Sequence, residues 1–483
     1  MEPVSLLALL ALLGAGCSGK DTPASDDTAP TGVDSEDSTP DDTVDTEDTV
    51  DTGTTSPDDT SPVDTSTPST CGDGALTGAE LCELDDSVSC GALGALWNSG
   101  DAVCRDDCSG FDVSACVLKD VDDRFEFVKP ADRDARWADA LCADGSGAMA
   151  TVQIAEDSDV WVLHLSGGGA CEDYSRDCTE MGNIPTTEGF TDGSLGPVLA
   201  GGLFERSADA NPNFADANYV LLATCGADRW TGPTTEPILN TAAPDEGWYF
   251  SGRVHLTAIV EVLRQRYGLD INAPETRVLF SGTSGGGLGA MNAMEQIVEM
   301  MPALAADGRL KGLADAGWLP RWDDPDYRLL NADVPDIEVY QRQYGFWSAS
   351  LNSSCVAEQP AGEEGNCYLS EILYPHQPIP VLVQQNAQDP QWFDEHNIDP
   401  LNPSDAKVRE RWELAMREGM EDVEWLFSGS TPYLPGGGIY HGIATQTPDW
   451  DYCPDFPDCA PGTTFGEVLD AFWNDEAPVR IVF

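Results

Sequence analysis

Positive charge is scarce in this chain. Its 483 residues carry 24 Lys and Arg against 85 Asp and Glu, a formal net charge of −61. A surface with that balance repels phosphate backbones and anionic bilayers, which excludes nucleic acid as a partner. Residues 18–70 hold 15 of the acids and one Lys, so −14 lies in that stretch and −47 on the remainder. The folded part is therefore acidic in its own right. The apolar N-terminal run Val4–Gly16, at 13 residues, falls short of the ~20 that a spanning helix needs. Histidine is down to five residues, and no His, Cys and carboxylate group has ligand spacing. No metal and no cofactor is implied. There is no internal repeat.

Cysteine, by contrast, is plentiful, and it divides the chain. Fifteen are present, and Cys17 stands apart from the other fourteen at the end of the apolar run. Val4–Gly16 reads as a signal h-region, and Leu13-Gly14-Ala15-Gly16-Cys17 looks like a relaxed bacterial lipobox. The expectation is an exported protein with residues 1–16 as signal peptide, anchored to a membrane through a lipidated Cys17, or else freely secreted. Residues 17–70 are built from Asp, Thr, Ser and Pro and bury too little apolar surface to fold. They are expected to form a disordered tether. Residues 71–117 hold Cys71, Cys82, Cys90, Cys104, Cys108 and Cys116 with few core aliphatics. So small a module needs staples, and three disulfides fit an oxidising compartment. Cys104 and Cys108 have half of a zinc spacing, but the module lacks histidine. A spacer or wall-contact role is the plain reading of it.

Residues 118–483 have the composition of an ordinary globular domain. Strands are expected at Ala148–Ile154, Val160–Leu165, Tyr219–Thr224, Arg277–Phe280, Leu310–Ala314, Pro380–Asn386 and Val479–Phe483. Helical spacing runs through Ser251–Tyr267, Leu288–Met300, Pro403–Met420 and Phe465–Trp473. The alternation predicts an α/β fold with a mainly parallel sheet and flanking helices. Functional groups in such folds gather at the carboxyl ends of strands.

Four features at those ends suggest chemistry. The strand at Arg277 runs into Gly282-Thr283-Ser284-Gly285-Gly286 and then a helix. That turn exposes Ser284 as a nucleophile and offers the Gly285 N–H to an oxyanion. Val160–Leu165 runs into Ser166-Gly167-Gly168-Gly169, where Gly168 and Gly169 can donate further N–H groups to the same spot. Pro380–Asn386 is followed by Asp389, placed to orient an imidazole, with Asp394 and Asp399 in reserve. Among the histidines, His164 lies in a strand, His255 in a helix upstream of the serine, and His376 in a Tyr-Pro-His-Gln-Pro run. The chain order serine, acid, histidine then leaves His396 and His441, with His441 favoured for its late loop after Gly436-Gly437-Gly438.

Together these landmarks resemble the pectin acetylesterase/Notum family of serine carboxylesterases, from about Trp137 to His441. Leu141–Ser146, Leu163–Cys171, Thr224-Cys225-Gly226, Tyr249–Arg253, the Ser284 turn and Asp315-Ala316-Gly317-Trp318 follow the family's order. The resemblance implies an α/β-hydrolase-like fold and the residues Ser284, Asp389 and His441 as nucleophile, acid and base. It implies oxyanion donors at Gly168, Gly169 and Gly285. It also implies disulfides Cys142–Cys225, Cys171–Cys178, Cys355–Cys367 and Cys453–Cys459. The expected substrate is an acetylated carbohydrate, and a monomer is expected. A lipid ester, as in the Notum branch, and a catalytically inactive surface-adhesion protein are the alternatives. Three positions depart from the family pattern. Ala170 replaces a bulky aromatic, Trp392 comes one position late after Asp389, and Gly442 follows His441.

Overall fold

A computed structural model describes residues 71–76, 80–120, 125–168, 170–171, 201–239, 247–329, 332–429, 441–445 and 464–482. Cys17, the tether, Gly169, Cys178, Cys453 and Cys459 lie outside the described residues.

The frame is a nine-stranded sheet. In chain order its strands are β1 (Phe125–Val128), β2 (Ala150–Gln153), β3 (Val160–Leu165), β4 (Asn218–Leu222), β5 (Arg277–Thr283), β6 (Leu310–Asp315), β7 (Val381–Gln384), β8 (Trp425–Ser428) and β9 (Arg480–Val482). In space the order is 9-8-7-6-5-3-4-2-1. The seven strands from β9 to β4 are mutually parallel, and β2 and β1 add an antiparallel edge.

Alternation along the central strands shows why the sheet is buried on both faces. Val278 and Phe280 of β5 join one apolar cluster, and Leu279 joins the other. Two helices cover the first face: α1 (Gly252–Arg266) through Ile259 and Leu263, and α2 (Gly285–Met300) through Met291 and Met294. The second face is covered by α3 (Phe465–Trp473), whose Val468, Leu469 and Phe472 pack there. A capping box between Thr464 and Glu467 starts that helix. Each such side chain contributes about 1.5–3 kcal/mol by leaving water.

The spatial order departs from the chain order: the strands Ala150–Gln153 and Val160–Leu165, joined by a short turn, are not neighbours. The wholly buried β4 lies between them and pairs with both. The helix after Ser284 starts at Gly285 rather than Leu288. Its glycine-rich first turn is poor in helix propensity but has to pass the sheet closely. A Cβ on Gly286 would lie 2.2 Å from the Leu165 carbonyl oxygen. The strand Trp425–Ser428 escaped the sequence reading because its run is only four residues long.

The cysteine-rich module is stapled by Cys71–Cys108, Cys82–Cys104 and Cys90–Cys116. It packs on the carboxyl end of α1. Leu93, Leu96 and Trp97 belong to the same apolar cluster as the residues of that helix. The Trp97 indole donates to the Arg266 carbonyl at 3.3 Å, and the Gln265 amide donates to the Leu81 carbonyl at 2.8 Å. The module thus satisfies a last-turn carbonyl that the helix itself leaves open. Further bonds join Cys142 to Cys225 and Cys355 to Cys367. Cys171 is also disulfide-bonded. Disulfides of this number fit an oxidising compartment.

Candidate active site

Ser284 sits where β5 ends and α2 begins, with φ 59° and ψ −126°. A non-glycine residue in that region stores about 1–3 kcal/mol of strain. The surroundings hold it there. Its N–H donates to the Asp315 carbonyl at 2.8 Å, and its own carbonyl receives the N–H groups of Gly287 and Leu288. The result is a serine lifted out of both the strand and the helix.

The glycine turn after β3 lies against that serine. A Cβ on Gly167 would meet the Ser284 Cβ at 2.8 Å and its Oγ at 3.5 Å, and one on Gly285 would meet the Gly168 carbonyl oxygen at 2.7 Å. Gly168 and Gly285, read as donors from the sequence, are therefore brought to the same place as the serine. Gly169 lies outside the described residues.

Asp389 follows β7 and is completely buried. Its Oδ1 accepts the Gln391 N–H at 2.9 Å, and its Oδ2 accepts the Gln385 amide at 2.9 Å. His441 Nδ1 lies 2.8 Å from both carboxylate oxygens. With Nδ1–H directed at the acid, Nε2 is left as the free lone pair. Burial alone pushes the His441 pKa down. The charge of Asp389 and its hydrogen bond, with smaller contributions from Asp315 and Glu395, outweigh this and hold it above the usual value.

The segment after His441 is seated on the strand that carries the serine. Ile443 and Ala444 donate their N–H groups to the two oxygens of Asp315 at 3.1 and 3.2 Å. Thr283 Oγ1 donates to the same carboxylate at 2.7 Å. A Cβ on Gly442 would meet Thr283 Cγ2 at 2.5 Å. Below, His164 Nε2 lies 3.3 Å from Thr283 Oγ1, and its Nδ1 lies 2.9 Å from Ser281 Oγ. Burial lowers His164 to about 3, so it is neutral, and burial raises Asp315 to about 6.

The other candidates are placed elsewhere. His396 is buried between the Trp392 carbonyl and Asp336. His255 is stacked on Trp230, and burial lowers it to about 4. His376 packs with Ser354. Asp394 and Asp399 are exposed. Sequence reasoning missed the roles of Thr283, Asp315 and Gln385. The available signal was the polar run Gln384-Gln385-Asn386 at a strand end, all three fully buried in the fold. Among the described residues no group of histidines, cysteines and carboxylates is arranged to hold a metal ion.

A parallel sheet whose central strand ends in a strained serine at a helix N-terminus is an α/β-hydrolase architecture. The family model described as pectinacetylesterase matches residues 123–418. The chain belongs to the pectinacetylesterase family, a group of carboxylic ester hydrolases. The matched region contains Ser284 and Asp389 and stops short of His441. Among curated proteins, the chain is 28% identical over 322 residues to palmitoleoyl-protein carboxylesterase notum1 of Xenopus laevis, covering 63% of this chain and 60% of that protein. To palmitoleoyl-protein carboxylesterase NOTUM of Drosophila melanogaster it is 26% identical over 315 residues, covering 64% and 44%. The chain thus spans 44% to 60% of the length of these relatives. The solved structure of the Wnt deacylase Notum from Drosophila superimposes with a TM-score of 0.60 at 23% identity, covering 71% of this chain and 93% of that one.

Proposed function

We propose that the protein is an exported serine carboxylesterase that deacetylates a polysaccharide, with Ser284 as nucleophile, His441 as base and Asp389 as orienting acid. The observation that carries this is the pair of 2.8 Å contacts from His441 Nδ1 to Asp389, on a segment packed against Thr283 beside the strained Ser284. In the first half-reaction Ser284 Oγ attacks the acyl carbon and its proton passes to His441 Nε2. The carbonyl oxygen becomes an oxyanion, which takes hydrogen bonds from N–H donors of the Gly168, Gly169 and Gly285 region. Loss of one such donor costs roughly 2.7–4 kcal/mol of barrier. The C–O bond to the alcohol then breaks, and Nε2 returns the proton to the departing oxygen. Water repeats the sequence on the acyl-serine, releasing the acid and restoring Ser284.

Export to the cell surface, with a lipidated Cys17 as membrane anchor, belongs to the same proposal. The disulfides are in keeping with it. A second reading, hydrolysis of a longer acyl ester, is favoured by the palmitoleoyl-protein carboxylesterases among the relatives. A fluorophosphonate probe followed by peptide mapping tests the nucleophile. Labelling at Ser284 and loss of turnover in Ser284→Ala are expected, and labelling elsewhere overturns the assignment. A series of p-nitrophenyl esters separates the two substrates. A maximum at acetate supports the deacetylase, and a maximum at eight carbons or more supports the longer acyl chain.

A further inference from the structure

The two halves of the site come from chain segments far apart in sequence. Ser284 follows one strand directly, and His441 lies more than 150 residues later in the chain. One residue contacts both segments. Asp315, at the end of β6 and fully buried, accepts the Ser284 N–H through its backbone carbonyl at 2.8 Å. Its side chain accepts Thr283 Oγ1–H at 2.7 Å and the N–H groups of Ile443 and Ala444 at 3.1 and 3.2 Å. A carboxylate is well suited to this junction, because it only accepts and can take several donors at once. An amide in its place would turn an NH₂ toward at least one of those donors.

We propose that Asp315 is the positioning residue of the esterase. Its carboxylate locks the His441 segment onto the Ser284 strand and adds a second negative charge to the field at the imidazole. The inference rests on the proposed roles of Ser284 and His441. Thr283 is the link in this clamp, since its hydroxyl joins Asp315 on one side and approaches His164 Nε2 on the other. His164 is buried and makes a further contact with Ser281 Oγ, so the Thr283 hydroxyl is fixed from below. Among the described residues, the charged groups around the imidazole are Asp389 from the turn after β7, Asp315 from β6 and Glu395 from the short helix Pro390–Glu395. The groups on the Asp315 carboxylate include the Thr283 hydroxyl, the two backbone N–H donors and the nearby His441.

The test uses the full-length protein, with p-nitrophenyl acetate as probe. Asp315→Asn keeps shape and removes the charge. Its kcat is expected to fall about 10²-fold, the loss that a displacement near 1 Å produces, while KM changes little. The acid limb of its kcat/KM profile is expected to move to lower pH, because a carboxylate that raises the His441 pKa is gone. A purely structural role would lower kcat without moving that limb, and that result overturns the field component. Thr283→Val covers the case in which Asp315→Asn does not fold. It preserves volume and removes one donor, and a fall in kcat of about tenfold is expected. Thr283→Ser keeps the hydroxyl and is expected to retain more activity than Thr283→Val. Equal activity in the two Thr283 variants, or wild-type kcat in Asp315→Asn, overturns the clamp. Ser284→Ala separates the failures. If it is inactive while Asp315→Asn is unchanged, only the clamp is wrong. If it retains turnover, the esterase assignment itself is wrong.

Discussion

His441 Nδ1 stands equidistant, at 2.8 Å, from the two carboxylate oxygens of Asp389. The carboxylate is in turn fixed by the Gln385 amide and the Gln391 N–H, so the ring faces an acceptor that cannot rotate away. This arrangement selects the tautomer with Nε2 unprotonated, the form a base requires. Asp389→Asn presents an amide that can donate to Nδ1 and favours the opposite tautomer. Its kcat for p-nitrophenyl acetate should fall by about 10⁴. The fold should be retained, as judged by an unchanged circular dichroism spectrum. A loss below tenfold would show that Asp389 does not set the tautomer.

Activity and one part of stability should run in opposite directions with pH. The folded-state pKa of His441 is raised above 6.5, so the folded protein binds that proton more tightly than the unfolded chain. Its stabilisation is fully present below 6.5 and is lost as pH rises through the folded value. Asp315 acts in the same direction, since burial lifts it to about 6 from 3.8. With His441 as the proposed base, catalysis needs its neutral form, so kcat/KM should fall on the acid side through a pKa above 6.5. Melting curves and rate profiles recorded from pH 5 to 9 check both trends. Glu395→Gln removes one of the carboxylates that raise His441 and should move the acid limb of the rate profile to lower pH.

The module of residues 71–117 should stabilise the hydrolase domain directly. Trp97 is 5% exposed and shares a core with α1. Trp97→Ala should cost about 3–5 kcal/mol, from lost burial and the cavity left behind. Urea denaturation checks this. A midpoint within error of wild type would show that the module is a passive spacer after all.

The parts of the site that could be read in advance are those with a local signature. Gly-x-Ser-x-Gly after an apolar strand gives Ser284 because the elbow geometry is written within five residues. Asp389 and His441 required chain order and the scarcity of histidine, since nothing local distinguishes either. Asp315 and Thr283 were illegible as a clamp because their partners, Ile443 and Ala444, act through backbone N–H groups, which every residue has. The same limit explains β4. Its apolar run announced a strand, but insertion between β2 and β3 is decided by pairing across the sheet rather than by local sequence. Docking of the module on α1 depends on Trp97 and Leu96, which in sequence are two ordinary apolar residues among cysteines.

Gly442 gives the most local test of how closely the two halves must meet. A Cβ there would lie 2.5 Å from Thr283 Cγ2 and 2.8 Å from Asp315 Oδ2. Neither neighbour can withdraw freely, because Thr283 is bonded to Asp315, and Asp315 holds Ile443 and Ala444. Gly442→Ala must therefore push the His441 segment away from the Ser284 strand. Overpacking of this kind typically costs about 1–3 kcal/mol, which should leave the protein folded. The displacement falls on the residue next to the proposed base, so kcat should drop about 10²-fold. Adding Thr283→Ser removes the methyl group in the closer contact while keeping the hydroxyl that Asp315 accepts. The double variant should recover part of the lost kcat, even though Thr283→Ser alone gains nothing. Wild-type kcat in Gly442→Ala would mean that the His441 segment tolerates the displacement, and the close seat would then carry no catalytic weight.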